Sequence, residues 1–254
     1  MTNPKDRNVD RFAVHAGQLP VIGPSGQRRL QQSRVIVFGT GRVGSSVVVG
    51  VHTAGVGIID CVDRQRIEAE QIGPFFLVGK RDIGTPKAVA LARFLNRRRV
   101  GLVNGIYGDV ERTPLERVRQ ASLVISCANT IPARIAAERK AIQAGVPVLQ
   151  VAAFDGREQL GGMITLRHPA NKHLACYACV ASKDEQPPTG RDGLLTPVTA
   201  VLGNVAAHFA TLLLTGCRDR ELLAHNVFVL DLERLLFERI SVARRGGCAV
   251  CGSG

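Results

Sequence analysis

An α/β fold, with a mostly parallel sheet and helices on both faces, is predicted by three observations. Strand-length apolar runs alternate with helix-length segments along most of the chain. The composition is rich in Val, Ala, Leu and Gly, with 4% aromatics and no Trp, which suits a buried parallel sheet better than a Greek-key sandwich. Finally, "RVIVFGTGRVGSSV", residues 34–47, passes from an apolar run into a glycine loop and then into a helical pattern. At 254 residues and 45% apolar, the chain can bury a sizeable core.

The elements follow in order. Residues 1–32 read as a helical N-terminal arm ending in "GQRRLQQS", and residues 33–254 as one principal domain. The strand "RVIVF" leads into Gly39-x-Gly41-x-x-Gly44 and a helix running to about Ala54. "GVGIIDCVD" is a second strand ending at Asp63. "DIGTPKAVALARFLNRRR" is a helix, with Thr85 expected as N-cap and Pro86 at its first position. Strands are expected in "GLVNGIYG", "SLVISC" and "VPVLQVAAF", with the helix "IPARIAAERKAIQAG" between the last two. This βαβ alternation, with the glycine loop at its first crossover, is Rossmann-like. From "GGMITL" onward the pattern changes to short strands, two cysteine pairs, a long apolar helix and the segment "NVFVLDLERLLFERISV".

That apolar helix, "VTAVLGNVAAHFATLLLTG", is about long enough to cross a bilayer. Asn204 and His208 interrupt it, and a buried helix is expected instead. The polar start "MTNPKDRNVD" has no secretory apolar core, so a cytoplasmic setting is expected.

The net charge of +12 sits partly in the runs at 96–99, 116–119 and 243–245. No aromatic residues interleave with them, so they read as solvated helix ends or as a surface for an acidic protein partner, rather than as a nucleic-acid site.

Four of the seven cysteines form "CYAC" (Cys176, Cys179) and "CAVC" (Cys248, Cys251). Two C-x-x-C pairs offer four thiolates on tight turns, the ligand set of structural zinc, which would tie the C-terminal tail to the body. A set with four protein ligands leaves the metal no open position for chemistry. Cys61, Cys127 and Cys217 read as core residues.

The glycine loop, with Asp63 about twenty residues on, fits a nucleotide held by its phosphates and ribose, NAD and ATP alike. Lys87 separates the two. It lies in the first turn of a helix, where the macrodipole disfavours a cation. A counter-anion such as a triphosphate with its magnesium would explain it.

Taken in order, "GQRRLQQSRVIVFGTGRVGSS", "AGVGIIDCVD", "DIGTPKAVA", "LVISCANT", "GVPVLQVAA", "CYAC" and "GGCAVCG" resemble the ThiF/MoeB family, bacterial relatives of ubiquitin-activating enzymes. The resemblance implies ATP-dependent adenylation of a carboxylate, typically the C-terminus of a small ubiquitin-like sulfur carrier or a peptide. It further implies a homodimer. By position it assigns Asp63 to the ribose, Gly39, Gly41 and Gly44 to the phosphates, Lys87 to phosphoryl charge and the four cysteines to zinc.

The departures from the family pattern are specific. Arg42 replaces a glycine, Gln71 and Pro74 stand where the family has Asn and Arg, and Val14 replaces an arginine although Arg11 is kept. Asn129 replaces a magnesium-binding aspartate, and its amide oxygen could serve directly or through water. Two readings follow. Either Arg42 restores the lost positive charge at the phosphates, or the site has decayed into a non-catalytic partner subunit. The loop "VASKDEQPPTGRDGLLTP" has Thr189 where some relatives carry a catalytic cysteine, so no thioester step is expected. Its composition suits a mobile cover over the carboxylate's entry.

Overall fold

The β-branched run "RVIVF" suits a strand covered on both faces, and it occupies the centre of the sheet. The computed structural model describes residues 13–74, 77–98, 100–181 and 193–252. A short helical segment (Ala13–Gln18) leads into α1 (Leu19–Gln32), which is bent at Gly23. Then come β1 (Arg34–Phe38), α2 (Arg42–Ala54), β2 (Ile58–Asp63), α3 (Lys87–Asn96) and β3 (Leu102–Tyr107). These are followed by α4 (Leu115–Arg119), β4 (Leu123–Ser126), α5 (Ile131–Ala144) and β5 (Val148–Ala153). The remainder is β6 (Gly161–Arg167), α6 (Tyr177–Val180), α7 (Thr196–Thr215), α8 (Arg220–Leu223), β7 (Val227–Asp231) and β8 (Leu236–Ile240).

The strands form one eight-stranded sheet in the order β3-β2-β1-β4-β5-β6-β7-β8. From β3 to β5 neighbours run parallel, and β6, β7 and β8 extend the sheet antiparallel. The order reverses between β1 and β4, so a crevice opens at the carboxyl end of β1, where such folds hold ligands.

A period of two sends alternate strand residues to opposite faces. Val35, Val37 and Ile59 pack with Val47 and Val51 of α2, Leu91 and Leu95 of α3, and Leu202 and Phe209 of α7. On the other face Ile36, Phe38 and Val124 pack with Val118 of α4 and Ala137 and Ala141 of α5.

The apolar helix expected to be buried is α7. Among the described residues it is the one helix long and apolar enough to cross a membrane. It packs chiefly on α2, through small residues. A Cβ on Gly203 would lie 2.6 Å from the Ser46 Cβ, and one on Gly50 would lie 2.5 Å from that of Ala207. Val201, Asn204 and His208 form its exposed stripe.

Two expectations need correction. The N-cap of α3 is Pro86 rather than Thr85. Ile67 N–H donates to Thr85 O (2.9 Å) and Lys87 N–H to Gln65 O (3.0 Å). This bridge keeps Pro86 extended at ψ 132, so the helix begins one residue later. The run 243–245 is also not a helix end. It follows β8 into the second cysteine pair, with Ala243 bridged to Leu174 and Arg244 N–H donating to His173 O (3.0 Å).

His52, in the last turn of α2, is fully buried, and neither ring nitrogen has a hydrogen-bond partner among the described residues. Burial, then Arg98, then His15 bring its pKa down to about 4. An unfolded histidine titrates near 6.5, so as pH falls from there towards about 4 the unfolded chain gains a proton that the fold refuses. Stability is expected to drop by about 2 kcal/mol between pH 7 and 5 through this residue. Urea melts of His52→Leu should lose that part of the decline; an unchanged pH profile would exclude His52 as its source.

Candidate functional site

β1 ends at Phe38, and the chain turns at once. Gly39 has φ +83, and a Cβ there would lie 2.8 Å from Cys127 O, so conformation and space both require glycine. Gly44 lets α2 approach its own loop: a Cβ would meet Gly39 O at 1.9 Å. At Gly41, the N-cap of α2, a Cβ would meet nothing within 4 Å. The space beside Gly41 at the start of α2 is therefore open, and a helix N-terminus favours an anion.

Asp63 closes β2 and is 8% exposed. Its Oδ2 accepts from Thr40 N (2.7 Å) and Thr40 Oγ1 (3.0 Å), and its Oδ1 from Gln65 N (2.8 Å). Asp63 thus holds the glycine loop in place from the carboxyl end of β2. Lys87 is 7% exposed, and its Nζ donates to Gln65 Oε1 (2.7 Å). Burial lowers its pKa from the ordinary lysine value, with Asp63 and Glu68 opposing and Arg42 reinforcing the fall. An ammonium so placed is poorly hydrated, which strengthens its pull on any anion.

Arg42 occupies the first position of α2, and one guanidinium nitrogen donates to Leu194 O (2.9 Å). Asp155 Oδ1 accepts from Gly193 N (3.3 Å), so two side chains fasten the segment entering α7 near the loop. Asn129 is exposed in the bend after β4, beyond the Cys127–Ala128 backbone that packs on Gly39. Glycine loop, Asp63, Lys87, Arg42 and Asn129 accordingly converge at the carboxyl ends of β1, β2 and β4.

Other expected positions lie apart. Gln71 turns back to accept from Glu68 N (3.3 Å), and Val14 is half-exposed in the short helical segment before α1. Arg11, Thr189 and most of the loop expected as a cover lie outside the described residues. Cys61 is core, whereas Cys127 lies under the glycine loop with its thiol pushed up to about 12 by burial. Cys217 is half-buried just past α7. Sequence reading missed Thr40, Gln65 and the Arg66–Tyr107 pair, whose guanidinium lies 4.8 Å from the ring centroid. A polar residue inside the G-x-G triplet was the available signal for Thr40.

The four paired cysteines do come together. Their Sγ atoms lie within 4.8 Å of one another, with Cys176–Cys179 at 3.8 Å, Cys176–Cys248 at 3.7 Å and Cys179–Cys251 at 3.6 Å. A tetrahedral ion with thiolate bonds of about 2.3 Å needs edges of roughly 3.8 Å, so the set fits a metal. Gly247, at φ +71, makes the turn into the second pair. Arg245 N–H donates to Cys179 Sγ (3.4 Å), an outer hydrogen bond of the kind that steadies ligating thiolates. Buried Asn226 clamps the two arms, donating to Ala175 O (3.0 Å) and Val242 O (3.1 Å) and accepting from Val242 N (2.8 Å). Glu138 of α5 accepts from Tyr177 N (2.7 Å), anchoring the first pair roughly 12 Å along α5 from its Thr130 cap.

Comparison with known proteins agrees with this arrangement. The chain is 29% identical over 251 residues to the sulfur carrier protein adenylyltransferase of Thermus thermophilus, covering 92% of this chain and 88% of that protein. It is 24% identical to the sulfur carrier protein ThiS adenylyltransferase of Escherichia coli, covering 97% and 96%. Among solved structures, E. coli MccB superposes with a TM-score of 0.77 at 19% identity, over 96% of this chain and 75% of that one. The model of the ThiF family matches residues 15–250, and with the glycine loop, crevice and paired cysteines in place, the chain belongs to that family.

Proposed function

We propose that this chain adenylates a carboxylate with Mg-ATP, forming an acyl-adenylate and pyrophosphate. The observation that carries the proposal is that Asp63 holds Thr40 of the glycine loop while the buried Lys87, tied to Gln65, feels the charges of both Asp63 and Arg42 beside the open start of α2. In the reaction a carboxylate oxygen attacks the α-phosphorus, and the bond to the bridging oxygen breaks as pyrophosphate departs with the electron pair. Negative charge grows on the leaving group. The N–H groups of α2 and Lys87 Nζ are preorganised to meet it. Asp63 Oδ1 retains acceptor capacity for ribose hydroxyls, and its Oδ2 keeps the loop set through Thr40. Asn129 would hold magnesium through its amide oxygen, and the ion supplies charge neutralisation on the phosphates. The four cysteines would hold zinc, which supplies a cross-link and no open position.

The substrate in this reading is a small ubiquitin-like carrier or a peptide. The relatives named above act on sulfur carriers, and MccB was solved with MccA. Edge strand β8 is exposed throughout, and Leu236, Phe237 and Ile240, with Leu235 just before it, give it an apolar surface suited to a folded partner. With no cysteine in the loop after the first pair, the product stays an adenylate or passes to an external nucleophile. The test is pyrophosphate release from Mg-ATP in the presence of a glycine-terminated carrier protein. Carrier-dependent release is the expected result, and none with carriers or peptides would move the chain to the second reading.

That reading, a non-catalytic partner, draws on Arg42, which stands at the first position of α2 and already donates to Leu194 O. The bond uses one of five guanidinium donors, and the rest remain for phosphate oxygens. Arg42→Gly is therefore expected to weaken ATP binding about tenfold, the scale of one charge-assisted hydrogen bond. Calorimetry checks it; tighter binding in the variant would mean that Arg42 blocks the site.

A further inference from the structure

On the α4 face of the sheet, Arg34, Asn104, Ile106, Arg117 and Gln120 line an open basin of about 570 Å³. It is separate from the nucleotide crevice. Asp60, beneath it, is in register with Ile36 and Asn104 and points to the α4 face, whereas Asp63, three positions on, belongs to the opposite alternation.

Asp60 is fully buried, and its Oδ2 accepts from both Arg34 (2.8 Å) and Arg117 (3.1 Å) while its Oδ1 accepts from Asn104 Nδ2 (2.7 Å). We propose that this basin binds a small oxyanion, a carboxylate or phosphate monoester borne by a metabolite with a compact apolar body, between the Arg34 and Arg117 guanidiniums.

Three features carry the proposal. The first is charge: two guanidiniums face one carboxylate, and among the described residues no other acidic side chain lines the basin, so a net positive charge is left for an incoming anion. The second is donor capacity. Each arginine has five N–H donors and commits one to Asp60, leaving planar forks that match an oxyanion in two-point contact. The third is preorganisation. A buried carboxylate is costly, and an apolar residue would serve stability as well. What Asp60 supplies is a fixed position for two otherwise flexible side chains, which reduces the entropy lost when a ligand binds. The volume lies in the small-molecule range, and Ile106 and Pro114 offer an apolar wall that a bare ion would not use.

The test reads the guanidinium N–H resonances of Arg34 and Arg117, assigned with Arg34→Lys and Arg117→Lys, while full-length protein is titrated with inorganic phosphate and, separately, acetate at constant ionic strength. Saturable shifts with phosphate alone identify a phosphate ester, and with acetate alone a carboxylate. Gln120 is exposed and does not touch Asp60, so Gln120→Glu should preserve the fold while weakening binding about tenfold. Lys87→Ala, at the separate nucleotide crevice, should leave the shifts unchanged. Resonances that stay still, shifts reproduced by chloride, or equal affinity in Gln120→Glu would overturn the proposal.

Discussion

Lys87→Ala is expected to lower carrier-dependent pyrophosphate release by about a hundredfold to a thousandfold, the effect of removing one preorganised donor from developing charge. The side chain is held by a bridge to Gln65 at the backbone and by Gln65 Oε1 at its tip, so its placement precedes substrate. Its loss should scarcely disturb the fold. Gln65 is exposed and finds water, and removing a desolvated ammonium relieves a burial penalty. Because burial lowers the Lys87 pKa, the charge it offers should fade with rising pH before that of an ordinary lysine. A wild-type rate that declines on the alkaline side, over a range the variant does not share, would show that charge at work. Wild-type turnover in Lys87→Ala would remove it from the reaction.

Stripping metal is expected to have the largest effect on stability. A cross-link between Cys176 and Cys248, 72 positions apart, closes a long loop, and losing it costs about 4 kcal/mol on the loop-closure scale. For a domain of this size that is roughly 8–16 °C in Tm. A strong chelator, or Cys179→Ser, should produce this drop together with loss of one zinc per chain by elemental analysis. The sheet from β3 to β5 should persist, because its two apolar clusters contain none of the four thiols. Metal-free protein melting at the same temperature would sink the assignment.

Local features of the fold were legible from sequence, and long-range ones were not. β1 is the predicted run "RVIVF", Asp63 closes β2 as expected, and the glycine loop joins β1 to α2 as its spacing implied. The start of α3 was misplaced because a distant partner, Gln65, and not local capping chemistry, decides where Pro86 stops being extended. Thr40 against Asp63 and Asn226 between the two cysteine arms escaped for the same reason: no period or spacing announces a contact between remote segments. Arg42 was visible as an oddity in the loop. Its engagement with Leu194, more than a hundred residues on, required the folded chain.

The position of the second cysteine pair bears on how the molecule is made. Cys248 and Cys251 follow β8, so every strand has left the ribosome before four thiols can meet. Until then Cys176 and Cys179 offer only half of a coordination sphere. A metal held there would therefore act as a late seal: a product cut short after β8 would carry the eight described strands and the crevice at β1, yet could not lock them.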